Sequence, residues 1–513
     1  MEDLISDKQW HQRDEYLKSS PFQRLAQEPG HLLDALKEQL EAKIASVNAN
    51  IKSGLNDRIV IKKSNGQEQW TLPYKKQEDL ENEGVFDLLQ QVNICDVVSY
   101  VHQKTGFLNR FEHIQPRFSK SSFSLKNISA CLVATGSNIG LNKIAEIADI
   151  NINTLASTYR NYFHVDNIRG GSQKIINDAT QLAAYKNFYI RRPNVVHAGA
   201  DGQKFAVKYR NQMARHSPKY FHTGVGIVAY SLIANHFPIN ALTIGAHDHE
   251  SHFLFDLIFN NSTDIDPSIV SSDMHGINHI NFSLLYMFGR QFAPRYKNIH
   301  KRFSDIRGFN DPDTYGSMFI QPQKKADRKL IESEWDNILK ILLSLAMKET
   351  SQSIIIQKLS SNAFSDKTKK ALWELDSILK SIYLLEFLDD EYLQQDVCHA
   401  QNRAESFHKL KRAIANITGG KLLGTRESEI EIWGECSRLL TNCIIYYNTD
   451  ILSRILEKSG NSEKIVKVMR KISPVSWQHI NFLGKYVFRD DGFELDMDQM
   501  ISEIDWEKIA EAA

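Results

Sequence analysis

Between residues 194 and 246 the chain carries three runs, NVVHAGADGQ, GVGIVAYSLI and INALTIGA, in a texture that its other segments lack. They are short, rich in β-branched residues and bounded by glycine and polar residues, the pattern of strands. A helix is predicted next over ESHFLFDLIFNN, then a short strand over SIVSSD, a helix over NHINFSLLYMFG and an extended stretch at QFAPRY. Strands followed by alternating helices and strands predict a mixed α/β domain whose sheet is covered on both faces. Two aspartates, Asp201 and Asp273, close two of these strand-like runs.

The flanks read differently. Residues 1–50 place Leu32, Leu33, Leu36 and Leu40 at helical spacing, and 78–190 is mainly helical. Between them a polar stretch at 52–70, with Gly54, Asn56, Asn65 and Gly66 around IVIKK, predicts a short strand or turn. Residues 325–396 read as long amphipathic helices, a helical insertion within the α/β domain, and 400–416 and 426–458 as further helices before a mixed tail over 474–513. The expected division is a mainly helical scaffold over 1–190, an α/β domain over 191–416 with its insertion at about 325–396, and a mainly helical C-terminal region over 417–513.

A chain of 513 residues, 42% hydrophobic, can bury more than one core. Basic and acidic side chains balance at 62 each, so any nucleic-acid surface must be a local one. The five cysteines include no CxxC pair, which argues against a disulfide framework or a zinc site and for a reducing, cytoplasmic setting. The start, MEDLISDKQWHQ, has no apolar core for a secretory signal, and no segment approaches the roughly 18 apolar residues of a membrane span. No membrane partner is expected.

The most conspicuous cluster is HDHESH at 247–252. It lacks the HExxH spacing that puts two imidazoles and a glutamate on one helix face. A polar helix start, where acids suit the exposed amides, is the first reading, ahead of substrate contact or metal binding. TGSNIG at 135–140 and GGSQK at 170–174 lack the ending of a phosphate loop. Asp201, in GADGQ, sits where glycines let the backbone bend and a bulky ligand approach, although ADGQ is also an ordinary turn. Asp273 in SSDMHG reads equally as a helix cap. Glu405 lies on a predicted helix with His408, Lys409 and Arg412 near one face, which is either a solvated charge-paired face or a carboxylate beside cations that meet a phosphate backbone. Three carboxylates from two strands and a helix suit Mg²⁺, a hard ion that takes oxygen ligands. Two such ions serve in-line displacement at phosphorus.

Six segments carry a resemblance: ATGSNIGL at 134–141, HAGADGQKF at 197–205, SSDMHGINHINFSLLYMFGRQFAPR at 271–295, NRAESFHKLKRAI at 402–414, LLTNCIIYYNT at 439–449 and ISPVSWQHINFLGKYVF at 472–488. In this order the chain resembles the C-terminal half of Tn3-family transposases, which are DDE-type enzymes. It departs from the family in having HAGADGQ for SSDGQ, SDMHG for DTGG and RAE for KGE or RGE. The resemblance implies an RNase H-like mixed sheet with a helical insertion, and Asp201, Asp273 and Glu405 as catalytic and metal-binding carboxylates. It implies two Mg²⁺ ions, with Mn²⁺ as a substitute. The implied partners are double-stranded DNA bearing terminal inverted repeats, target DNA and a second copy in an active homodimer, in the cytoplasm and associated with the nucleoid. DNA contacts are expected from Lys204, Arg290, Arg295, Lys409, Lys411 and Arg412.

The implied activity is 3′-end cleavage and strand transfer in replicative transposition. Because full family members are nearly twice as long and carry end-recognition domains, a truncated or split form working with a separate N-terminal transposase fragment is expected. The alternatives are a stand-alone RNase H-like metal-dependent nuclease and a non-catalytic DNA-binding or inhibitory remnant.

Overall fold

The computed structural model describes residues 4–64, 67–73, 86, 89–118, 123–192, 194–316, 318–360, 366–416, 419–460, 462–490 and 495–502. The expectations over 78–85, 361–365 and 503–513 lie outside the described residues. In chain order, the elements that frame the site begin with helix α1 (Pro29–Ser53), the hairpin β1 (Val60–Ser64) and β2 (Gln67–Thr71), α2 (Leu125–Gly136) and α3 (Val165–Ala179). Three long strands follow, β3 (His197–Val207), β4 (Val225–Ala234) and β5 (Phe237–Gly245). Then come α4 (Leu254–Phe259), β6 (Ile269–Ser272), α5 (Asn281–Met287) and β7 (Gln291–Phe292). The series ends with α6 (Trp335–Ala346), α7 (Asp366–Asp389), α8 (Glu391–Ala415), β8 (Lys421–Leu422) and α9 (Glu427–Lys458). The mixed α/β pattern, the strands at 197–245 and the helical stretch at 325–396 are thus all present.

Contacts divide the chain into two compact units, each assembled from three segments. The first comprises 1–77, 249–259 and 267–401; the second comprises 78–248, 260–266 and 402–513.

In the second unit α9 is buried on nearly every side, from Ile430 to Leu456, and α2 and α3 pack along it. The sequence allows this close approach: a Cβ on Gly136 would stand 2.6 Å from the Leu440 side chain and 2.8 Å from the Cys436 carbonyl. That is the structural use of ATGSNIG, whose Asn138 also bridges to the backbone of Lys421 and Leu423 at 2.8 and 3.0 Å. GGSQK lies inside α3, with Gly171 against Phe107, Phe111 and Leu439. The sheet of this unit is mixed: β3 runs antiparallel to β4, β4 antiparallel to β5, and β8 parallel to β3. Asn235 and His236, at φ 47° and 74°, make the β4–β5 turn, the left-handed pair that a two-residue hairpin of this twist requires. Phe205, Val207, Ile227 and Ala229 from the sheet pack against Ala415, Leu422, Ile430 and Trp433.

In the first unit α1 presents Leu32, Leu33, Leu36, Leu40, Ile44 and Val47 as one buried stripe, and α7 packs against it. The β1–β2 hairpin overlaps the polar stretch at 52–70 and ends at Thr71, with Trp70 set edge-on to Phe303 at 5.1 Å. Strand β6 pairs parallel with β7, Ile269 opposite Gln291 and Val270 opposite Phe292. Among the described residues no helix is long and apolar enough to cross a membrane. All five cysteines are free and buried.

Candidate functional site

Asp201 lies in the middle of β3, opposite Ser231 of β4. Along β3 the odd positions Gln203, Phe205 and Val207 are buried, so Asp201 shares their face, the one that α8 covers. Its carboxylate accepts a hydrogen bond from the Gly202 amide at 2.9 Å, and a second oxygen lies 3.5 Å from Nδ1 of His408. Burial, then the charges of Lys411, Arg412 and Lys204, push the His408 pKa down to about 3. The imidazole is therefore neutral near pH 7 and touches Asp201 as a polar group rather than a counter-ion. Gln203 donates to the His408 carbonyl at 2.8 Å, which pins α8 to the strand. Glu405 is exposed on α8 one turn before His408, about 4.5 Å along the axis.

The expected DNA contacts separate by burial. Lys409 and Arg412 are exposed on α8 beside Glu405. Lys204 is half-buried on the opposite face of β3 from Asp201, its ammonium 4.4 Å from the Tyr220 ring. Lys411 does not meet the expectation. It is 1% exposed, with its ammonium 5.4 Å from the ring centre of Trp433 and 5.9 Å from those of Phe205 and Phe407. A phosphate cannot reach it there, so Lys411 is a core residue.

Asp273 stands in the first unit at the C-terminal end of β6, where its carboxylate accepts from the His275 amide at 2.8 Å and caps a short 3₁₀ turn, Met274–Gly276. The turn needs glycine at 276, because a Cβ would come within 2.4 Å of the Ser272 side chain. Arg295 is at the same end of the strand pair, its amide donating to the Ser272 carbonyl at 2.8 Å. Arg290 precedes β7 and so sits at the opposite end, near Ser268 and Ile269.

Sequence reasoning missed Glu250. It belongs to a 3₁₀ turn, Glu250–His252, is 8% exposed, and places a carboxylate oxygen within 4.8 Å of one from Asp273. The two turns are tied together by amides. The Ser251 carbonyl accepts from Asn278 at 2.9 Å, Asn281 at 3.0 Å and Gln352 at 3.1 Å, while Gln352 also bonds Asn281 and accepts from the Phe255 amide. Asn278 in turn accepts from the amides of Ile280 and Asn281, just where α5 begins. Through these bonds the segment after Asp273 fixes the segment that carries Glu250. HDHESH is thus only in part a polar helix start, since Glu250 faces inward and the His249 ring lies 6.1 Å from that of His275. The sequence signal was an acid three residues before the apolar FLFDLI.

The pair suits a hard cation. An ion about 2.1 Å from each of two oxygens holds them at most about 4.2 Å apart, so a separation within 4.8 Å needs little movement. Two acidic oxygens at this separation, one at a strand end and one in a 3₁₀ turn, are the hard donors that divalent cations take. The Tn3 transposase DDE domain family matches residues 96–486, and the chain belongs to that family. It is 24% identical over 413 residues to the transposase for transposon gamma-delta of Escherichia coli (strain K12), covering 79% of this chain and 40% of that protein. The transposase for transposon Tn1546 of Enterococcus faecium is 24% identical over 79% of this chain and 41% of its own length. For the transposase for transposon Tn3926 of Escherichia coli the figures are 24%, 88% and 46%. The chain therefore spans less than half the length of these curated relatives.

Proposed function

We propose that the chain is the catalytic part of a DNA transposase, in which Asp201, Asp273 and Glu405 serve 3′-end cleavage and strand transfer. In this reading residues 191–416 form an RNase H-like domain with its helical insertion, and Asp201 and Asp273 hold Mg²⁺, or Mn²⁺ in its place, with Glu405 completing the set and Glu250 beside Asp273. The observation that carries it is the Glu250–Asp273 carboxylate pair, fixed by buried amides within the segment that the family matches. Glu405 gains support from α8, since His408, one turn on, touches Asp201. The bound ions would polarise the scissile phosphate and lower the pKa of the attacking hydroxyl.

The chain's own groups then have distinct tasks. Gln203 and His408 keep the Asp201 carboxylate against α8, and the Ser251 amide node keeps Glu250 at Asp273. Lys409 and Arg412 offer exposed cations to the DNA backbone, Arg412 with the fork that suits phosphate oxygens. The substrates are transposon ends with inverted repeats and a target duplex, handled by a homodimer.

The test is strand transfer from pre-cleaved ends into plasmid DNA with Mg²⁺. Asp201→Asn, Asp273→Asn and Glu405→Gln should each abolish joined product while leaving DNA binding and the unfolding midpoint close to the parent's. Cleavage without joining in the parent chain would make it a nuclease instead. Full joining by any folded single variant would remove that residue from the catalytic set.

A further inference from the structure

A cavity of about 450 Å³ opens in the first unit beside Asp273, of the size that takes a small organic ligand. One wall is Met274, Ile277 and Asn278, which follow Asp273 directly, and the facing wall is α7 from Lys370 to Lys380. Its charges do not all cancel. Arg307 forks Glu374 at 2.9 and 3.2 Å, and Lys380 faces the buried Asp376, which accepts from the Ser283 amide at 3.0 Å. Asp305 is a third acid of the lining and also acts on Lys380, while Arg302, Lys324 and Lys370 have no ion pair among the described residues, so five cations face three acids and the lining is net positive.

Two further features select the ligand. Trp373 lies in the wall with the His279 ring 4.8 Å away at 36°, and burial lowers the His279 pKa so that it stacks as a neutral ring. Tyr296, 8% exposed, lines the same cavity with a hydroxyl that has no hydrogen-bond partner among the described residues. Burial raises the pKa of that hydroxyl, which leaves it a donor. A bare phosphate would use the cations and leave the Tyr296 hydroxyl and the Trp373 ring, which meets His279 and the Lys369 ammonium at 5.1 Å, without a ligand contact. A purely apolar ligand would leave the excess positive charge unmet.

We propose that this cavity binds one unpaired nucleotide of a DNA strand next to the reacting phosphate, its base on Trp373 and His279, a polar base edge at Tyr296, and its phosphate among Arg302, Lys324 and Lys370. The nucleotide must be unpaired, because a base inside a duplex has both faces covered by its neighbours. The assignment rests on the transposase reading, since that reading brings a DNA strand to Asp273. It adds a site for a splayed end, which accounts for an aromatic, cationic cavity that the carboxylates do not need.

The test is fluorescence anisotropy in EDTA with the full chain, comparing a labelled blunt duplex with the same duplex carrying a short oligothymidine tail. Because no cleavage occurs, the result is independent of whether the carboxylates catalyse, and loss of joining in Asp273→Asn leaves it unaffected. The tail should tighten binding, and Trp373→Ala should remove that gain, about tenfold, while blunt-duplex binding stays unchanged. Lys324→Ala with Lys370→Ala, both at exposed positions that leave the fold intact, should reduce the salt dependence of tailed binding by about two ions and spare the blunt duplex. Tyr296→Phe should weaken the tailed complex several-fold. Excess thymidine monophosphate that displaces the tail would assign the site to a free nucleotide and overturn the strand reading. Equal affinity for tailed and blunt DNA, or lysine variants that bind both with parental salt slopes, would overturn the cavity's role altogether.

Discussion

Replacing Lys411 with methionine decides between a DNA-contacting residue and a core residue, and the structure sets the size of the effect. The side chain is 1% exposed, and burial, with Arg438 adding to it and Glu435 opposing it, lowers its pKa to about 8. A lysine with a depressed folded pKa destabilises the fold while charged. The cost is complete below about pH 8, shrinks as pH rises, and is gone near the unfolded value of about 10.4. At about 1.4 kcal/mol per pH unit the cost is about 3 kcal/mol. The rings of Trp433, Phe205 and Phe407, 5.4 to 5.9 Å from the ammonium, return about 1–2 kcal/mol through cation–π attraction. Lys411→Met should therefore raise stability at pH 7 by about 1–2 kcal/mol, since methionine matches the stem and carries no charge. Urea unfolding followed by far-UV circular dichroism at a series of pH values gives the parent–variant difference, in which all other titrations cancel. Because the ring attraction also favours the charged form it narrows the window, and the difference should shrink by about 1–2 kcal/mol as pH rises toward 10.5. Binding to duplex DNA and its salt slope should stay at the parental value. A difference that is independent of pH, or a variant that folds normally and loses DNA affinity, would refute the reasoning.

On the same helix, Lys409→Ala and Arg412→Ala should each weaken duplex binding regardless of sequence and flatten the plot of log affinity against log salt by about one ion, measured by filter binding across a salt series. Gln352→Ala removes bonds to the Ser251 carbonyl, Asn281 and the Phe255 amide, all in a buried setting. It should cost about 2–4 kcal/mol in denaturant unfolding and raise the Mg²⁺ concentration needed for half-maximal joining, because the turn that carries Glu250 loses one of three bonds to its Ser251 carbonyl and Asn281, which makes another, loses its partner.

What could be read along the chain is what local pattern encodes. The β-branched runs became β3, β4 and β5, and SIVSSD became β6 with Asp273 at its end, because strand periodicity acts over a few residues, whereas Asp201, read as closing a strand, lies in the middle of β3, which continues through Gly202 to Val207. The compact units were beyond such a reading, as each collects three separated segments. Glu250 was hidden for the same reason. Its neighbour across space is Asp273, and the link passes through the Ser251 carbonyl to amides at 278, 281 and 352, an arrangement with no period to detect. A polar string such as HDHESH looks solvated until a tertiary network turns one of its acids inward.

Lys411 differs, because its fate was legible. A helix turns about 100° per residue, so Lys409 and Arg412 fall within about 40° of Glu405, and Lys411 lies about 120° away. Its direction is shared, within about 40°, by Ala404, Phe407 and Ala415, all fully buried. Grouping cations by nearness in sequence put Lys411 with the exposed pair, whereas the helical period puts it with the core. A charge among apolar residues at helical spacing is held because its long stem packs there, and the three rings around its ammonium supply the partner that water would otherwise provide. The same period keeps Glu405, Lys409 and Arg412 together on the exposed face, while His408, about 60° round from Glu405, reaches Asp201. A single helix thereby supplies an acid, two cations and a strand contact from one side, and it can do so because its other side is given over to the core.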